Sequence, residues 1–123
     1  MAQIKTFKEL KVWVKAHELV LEIYKITKNF PPEEKFGLIS QIRRAAISIA
    51  SNLVEGFRRK SLKDSLYFYN IAEGSLEELK YQLILSRDLK FITDDEFNKV
   101  SNLADEVGGM LYCWIQSQKQ KLN

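Results

Sequence analysis

The sequence predicts an all-α fold, an up-down-up-down four-helix bundle. Helix-start signals divide the chain into four stretches. Each stretch carries apolar residues at spacings of three and four, the period of a helix buried on one face. No window alternates apolar and polar residues with period two, and no Asn-Gly hairpin signal occurs.

Thr6 with Glu9, Ser61 with Asp64 and Thr93 with Glu96 each have the spacing of a capping box. Pro31-Pro32 followed by Glu33-Glu34 reads as a further start: proline fits a first turn, and acids suit the positive end of the helix dipole. Gly56 stands where the second helix should end. Helices are therefore expected near 7–29, 33–56, 62–89 and 94–119. The second offers Ile39, Ile42, Ala46, Ile49 and Leu53 to a core. The third offers Leu62, Leu66, Tyr69, Leu76, Leu79 and Leu83, and the fourth Phe97, Val100, Ala104, Val107, Leu111 and Trp114. Short connections imply antiparallel neighbours.

The first helix has apolar residues on two sides. Leu10, Val14 and Leu21 lie on one, and Val12, Leu19, Ile23, Ile26 and Phe30 nearly opposite. The apolar arc is wider than one bundle face requires. It fits either a helix deep in the bundle or one whose second side, Val12, Leu19, Ile23 and Ile26, packs on another subunit.

The 123 residues read as one domain, 1–123, long enough to bury a core without metal or disulfides. With 46% hydrophobic and 28% charged residues, the chain is of globular composition. Its one cysteine, Cys113, forbids an internal disulfide and suits a reducing compartment. The charged start MAQIKTFKELK does not read as a signal peptide, and no apolar run is long enough for a membrane span. Cytoplasmic location and no membrane partner are expected.

The net charge of +3 conceals a polarity. In an up-down-up-down bundle the start of helix 1, the helix 2–3 turn and the end of helix 4 share one end. Residues 1–15, 55–64 and 115–123 hold Lys5, Lys8, Lys11, Lys15, Arg58, Arg59, Lys60, Lys63, Lys119 and Lys121 against Glu9, Glu55 and Asp64, a balance of +7. The opposite end, residues 24–37 and 87–99, sums to zero, and the middle to −4. Lys8, Lys11 and Lys15 are expected on one helical face, and Arg58-Arg59-Lys60 on an open turn. A clustered basic end is the electrostatic footprint of nucleic-acid binding through phosphates, with little base readout. A solvated surface that keeps the protein soluble is the plainer alternative.

Catalytic and metal-binding readings find little support. The single histidine, His17, lies in the apolar arc of helix 1 and is expected as a packed, hydrogen-bonded core residue. One His and one Cys cannot build an ordinary zinc site, the paired Glu-x-x-His motifs of di-iron bundles are absent, and there is no Gly-rich phosphate loop. We expect no enzyme, cofactor or metal. A polar stripe does stand out. Gln41, Arg44, Ser48, Asn52 and Glu55 recur at spacings of three and four, facing Glu73, Glu77 and Glu78 around Gly74-Ser75. It fits an internal network that fixes helix register, or else a polar pocket. The mid-helix Gly74, which costs about 1 kcal/mol relative to Ala, implies close helix packing there.

These residues also carry a resemblance. FPPEEKFGLISQIRRAAISIASNLVEGFRR, then AEGSLEELKYQL, with FKELKVWVKAHELVLEIYKIT before them, resembles the small proteins encoded in intervening sequences of bacterial 23S rRNA genes. The match runs from about Phe7 to Ile92. It rests on Gln41, Arg44, Ala45, Asn52, Glu55, Gly56, Gly74, Ser75 and Glu78. Lys90 departs from the family's frequent Gly before the last helix, which leaves a tight left-handed turn there unsupported by the residue. The resemblance implies a four-helix bundle that assembles into a ring, typically a homopentamer. The chain is also similar to the accessory variability determinants of diversity-generating retroelements, basic pentamers that work with a reverse transcriptase and its RNA.

The expectation is a non-enzymatic, oligomeric accessory protein that binds RNA or DNA through Lys8, Lys11, Lys15, Arg58, Arg59, Lys60, Lys63 and Lys119. A protein-interaction scaffold that never touches nucleic acid, for instance a partner of a reverse transcriptase, is the alternative.

Overall fold

The computed structural model describes residues 3–122, so Met1, Ala2 and Asn123 of the expected domain lie outside the described residues. It contains four α-helices, α1 (Lys11–Thr27), α2 (Leu38–Arg58), α3 (Leu62–Asp88) and α4 (Asp94–Lys119), with 3-10 turns at Phe7–Glu9, Pro32–Glu34 and Gln120–Leu122. No strand occurs among the described residues. Consecutive helices pack on each other, and α1 closes the bundle against α4. The seam between α2 and α3 is the most extensive, as the short turn between them dictates.

The capping signals differ in strength. Thr93 forms a full capping box: its Oγ1 accepts the Glu96 amide at 3.1 Å, and Glu96 Oε1 accepts the Thr93 amide at 2.9 Å. Ser61 accepts the Asp64 amide at 3.1 Å, half of such a box. Thr6 caps only the first 3-10 turn, accepting from the Lys8 amide at 3.3 Å. Leu10 then turns extended to bury its side chain, so α1 starts at Lys11, later than expected. The Pro-Pro-Glu-Glu run also yields only a 3-10 turn. The α-helix begins at Leu38, whose amide donates to Glu34 Oε1 at 3.1 Å.

Gly56 does not end α2, which runs on to Arg58. It is buried where α3 crosses, and a Cβ there would collide with the Tyr69 ring. The glycine is thus the condition for seating the Tyr69 ring, itself 2% exposed. Lys90, in contrast, takes the left-handed conformation at φ 64°. Its amide donates to Arg87 O and the Phe91 amide to Ser86 O, both at 2.9 Å. This is the two-bond termination usually built on glycine, so the tight left-handed turn that the residue type left unsupported is formed here: the hydrogen bonds and the burial of Ile92 hold a lysine in it.

The core is continuous. Leu19, Ile23, Ile42, Ile49, Leu53, Leu79, Leu83, Val100, Val107 and Leu111 are all essentially inaccessible. The two-sided reading of helix 1 is thereby resolved. Val12, Leu19, Ile23 and Ile26 are buried inside the protomer, so they do not form a subunit interface. The surface side of α1 is that of Val14 and Leu21, 40% and 56% exposed. Leu10 leaves that set as well, because the break before α1 turns it inward.

Candidate nucleic-acid interface

The up-down-up-down path gathers the N-terminal segment, the α2–α3 turn and the end of α4 at one end. There they enclose a cleft of about 710 Å³, lined by Ile4 from the first, Arg59 and Lys60 from the second, and Gln118 and Lys121 from the third. The charge polarity inferred from the sequence thus becomes a spatial one. Lys5, Lys8, Lys11, Arg58, Lys60, Lys63 and Lys119 are exposed and make no ion pair among the described residues.

Two expected contact residues are partly engaged elsewhere. Lys15 Nζ lies 3.4 Å from Glu106 and 3.5 Å from Glu18, and these carboxylates, Glu106 foremost, raise its pKa above the usual 10.5. Arg59 donates to Glu55 Oε2 at 2.9 Å while its guanidinium stacks 4.5 Å over Phe68. Lys8 lies in the 3-10 turn before α1, so it does not continue a single helical row with Lys11 and Lys15.

The proposed polar network of α2 and α3 contracts to three residues. Ser48 and Ser75 share a hydroxyl hydrogen bond of 2.8 Å, and Asn52 Nδ2 donates to Ser48 O and Oγ at 2.8 and 3.0 Å. Gln41 and Arg44 are exposed, Glu55 pairs with Arg59, and Glu78 accepts from Gln82 at 3.1 Å. Glu73 and Glu77 instead face the α3–α4 groove beside Lys80 and Asp105. With Ile42, Ala46 and Ile49 turned fully to the core, the stripe slants over the outer surface, and only its middle reaches α3. Gly74 has no atom within 4 Å of where a Cβ would stand, so no packing inside the chain explains it.

His17 is exposed and stacks on Trp13, with ring centroids 5.2 Å apart and planes 4° from parallel. It is not a core histidine, because the buried stripe of α1 passes through Ala16 and Leu19 instead. Cys113 is also exposed. No cluster of three potential metal ligands occurs among the described residues, and no helix is long and apolar enough to cross a membrane.

Sequence reasoning treated Tyr69 and Trp114 as core stripe residues only. Both line the basic-end cleft, and Trp114 is only half-buried. Their rings meet edge to face, with centroids 6.2 Å apart. Burial pushes the Tyr69 phenol above its ordinary pKa, and the neighbouring indole N–H opposes that rise. The geometry is too poor for a hydrogen bond, so Trp114 Nε1 is buried with no acceptor. Only the proximity of Trp114 to Lys119 and Lys121 in sequence hinted at this second role.

Among curated proteins nothing matches this chain. Among solved structures, it is similar to a crystal structure from Bacteroides thetaiotaomicron described as a protein of unknown function from the S23 ribosomal protein family. That similarity has a TM-score of 0.76 and 28% sequence identity, covering 85% of this chain and 97% of the other. Residues 8–113 match the family described as 23S rRNA-intervening sequence protein, extending the resemblance seen between Phe7 and Ile92 well into α4. The chain belongs to the 23S rRNA-intervening sequence protein family.

Proposed function

We propose that this protein is a non-enzymatic, self-associating accessory protein that binds nucleic acid, RNA in the first instance, through the basic end of its bundle. The observation that carries this reading is the set of unpaired cations there, set against an end of zero net charge and an acidic middle. Lys8, Lys11, Arg58, Lys60, Lys63 and Lys119 are the principal contacts. Arg59 and Lys15 contribute less, since carboxylates already hold them. Binding of this kind releases counterions, so affinity falls steeply with salt and depends little on base sequence.

Self-association is supported on a different face from the one first considered. The outer surface of α3 presents Tyr67, Ile71 and Tyr81, at 62%, 36% and 61% exposure, around the open Gly74. A glycine that costs helix stability and has no packing role inside the chain fits close approach by another helix. A ring of five copies, as the family resemblance implies, would repeat the basic end and raise avidity. A protein-interaction scaffold without nucleic-acid contact uses the same α3 surface and is the second reading.

The test is binding of fluorescent single-stranded RNA at 50 and 300 mM salt to the native protein and to a variant with Arg58, Arg59 and Lys60 changed to Glu. Loss of affinity both with salt and in the variant supports the proposal. Equal affinity at both salt concentrations overturns it. Sedimentation of Ile71→Glu tests the α3 surface: the variant should sediment as a smaller species than the native protein.

A further inference from the structure

We propose that the cleft at the basic end is a pocket for one unpaired nucleotide, so that the protein prefers single-stranded nucleic acid, or a strand end, to duplex. This deepens the nucleic-acid reading above and rests on it. Cations on a convex surface suffice to hold a duplex, whose outer face is phosphate. They give no reason for a hollow among them that is walled in part by aromatic and aliphatic side chains. Here Phe57, Leu62 and Trp114 line a cleft whose rim carries Lys60 and Lys121. That pairing of a flat apolar body with a negative charge a few ångströms away is the chemistry of a nucleotide: base against the aromatic wall, phosphate on the rim.

The size agrees. A cleft of about 710 Å³ falls within the range that holds a small ligand, and it is open at the surface, so a base can enter it from a strand outside. Polar groups stand where a base edge would need them. Gln118 is 8% exposed, its carboxamide held by Ser117 at 3.2 Å and by Lys121 at 3.5 Å. Trp114 Nε1 is a buried donor without an acceptor. An unmade hydrogen bond of this kind is costly in a finished interior, and a small rotation of the indole toward a bound carbonyl oxygen would satisfy it. Lys121 couples the two parts, since one ammonium both touches the Gln118 carboxamide and faces the cleft.

The cleft can be read optically. The chain has two tryptophans, so Trp13→Phe leaves Trp114 as the sole indole. Uridine and adenosine 5′-monophosphates, a single-stranded 12-mer and a duplex of the same length are titrated at one salt concentration. The expected result is quenching of Trp114 by the monophosphates and the single strand. The single strand should bind about ten-fold more tightly than the duplex, as one stacked base is worth on the order of 1–3 kcal/mol. Ser65→Leu, which fills the cleft, should abolish that margin. Its fold is checked by circular dichroism, and the monophosphate titration does not depend on it. Salt-sensitive binding of both strand forms with equal affinity, and no quenching, overturns the pocket and leaves the basic-end reading standing. Failure to bind either form overturns both.

Discussion

The two ends of the bundle differ in charge balance more than in how each cation is held. At the neutral end Lys25, Lys28 and Lys90 stay exposed and make no ion pair among the described residues, while the arginines nearby are engaged. Arg43 stacks 4.3 Å over Tyr24 and donates from Nε to Thr27 Oγ1 at 2.9 Å, while Arg87 stacks 4.4 Å over Phe97 and donates to Asp88 at 3.1 Å. The Phe30 and Phe91 rings pack 5.4 Å apart across the connections that close this end. At the basic end most cations face water, and the aromatic groups line a hollow instead of filling it. The charge balance separates the ends: six acids against six bases at one, three against ten at the other.

Charge reversal should break this comparison most visibly. Lys60→Glu with Lys63→Glu should lower single-stranded RNA affinity on the order of 100-fold near 50 mM salt and flatten the salt slope by about two. Lys28→Glu with Lys35→Glu at the neutral end should change affinity less than about two-fold. Equal losses from both pairs would mean that net charge alone matters.

Gly56→Ala should destabilise the protein by about 2 kcal/mol, because the added methyl meets the buried Tyr69 ring. Urea denaturation measures it, and nucleotide-dependent quenching of Trp114 should weaken with it, since Tyr69 borders the same cleft. At the neutral end Thr93→Ala should cost about 1 kcal/mol through loss of the capping box, with RNA binding untouched. Lys90→Gly should have the opposite sign and stabilise by about 1 kcal/mol, since glycine takes φ 64° without strain. A destabilised Lys90→Gly would show that the lysine side chain contributes something beyond its backbone.

The smallest effect concerns Lys15. Its folded pKa lies above the ordinary 10.5, so its ion pairs stabilise fully below that value. Their contribution should fade only as pH rises past 10.5, and Glu106→Gln should reduce that alkaline sensitivity in thermal denaturation, leaving the smaller share of Glu18. RNA affinity should respond less to Lys15→Met than to Lys60→Met.

Much of this was legible in the chain itself. The bundle, its order, the core stripes of α2, α3 and α4, and the Thr93 cap follow from local spacing, because a helix buries whatever recurs every three or four residues. The basic end followed too, since helix direction alone decides which chain segments meet. The tertiary structure decided what depends on rotation about each helix axis and on neighbours distant in sequence. It placed Val12, Leu19, Ile23 and Ile26 inside, turned His17 and Arg44 outward, made Gly56 a seat for Tyr69 and left Gly74 open. It also brought Trp114 to the cleft beside Arg59 and Lys60. Periodicity fixes which residues share a face. It does not say which of two apolar faces looks inward, because that depends on the shapes of three other helices packed at once.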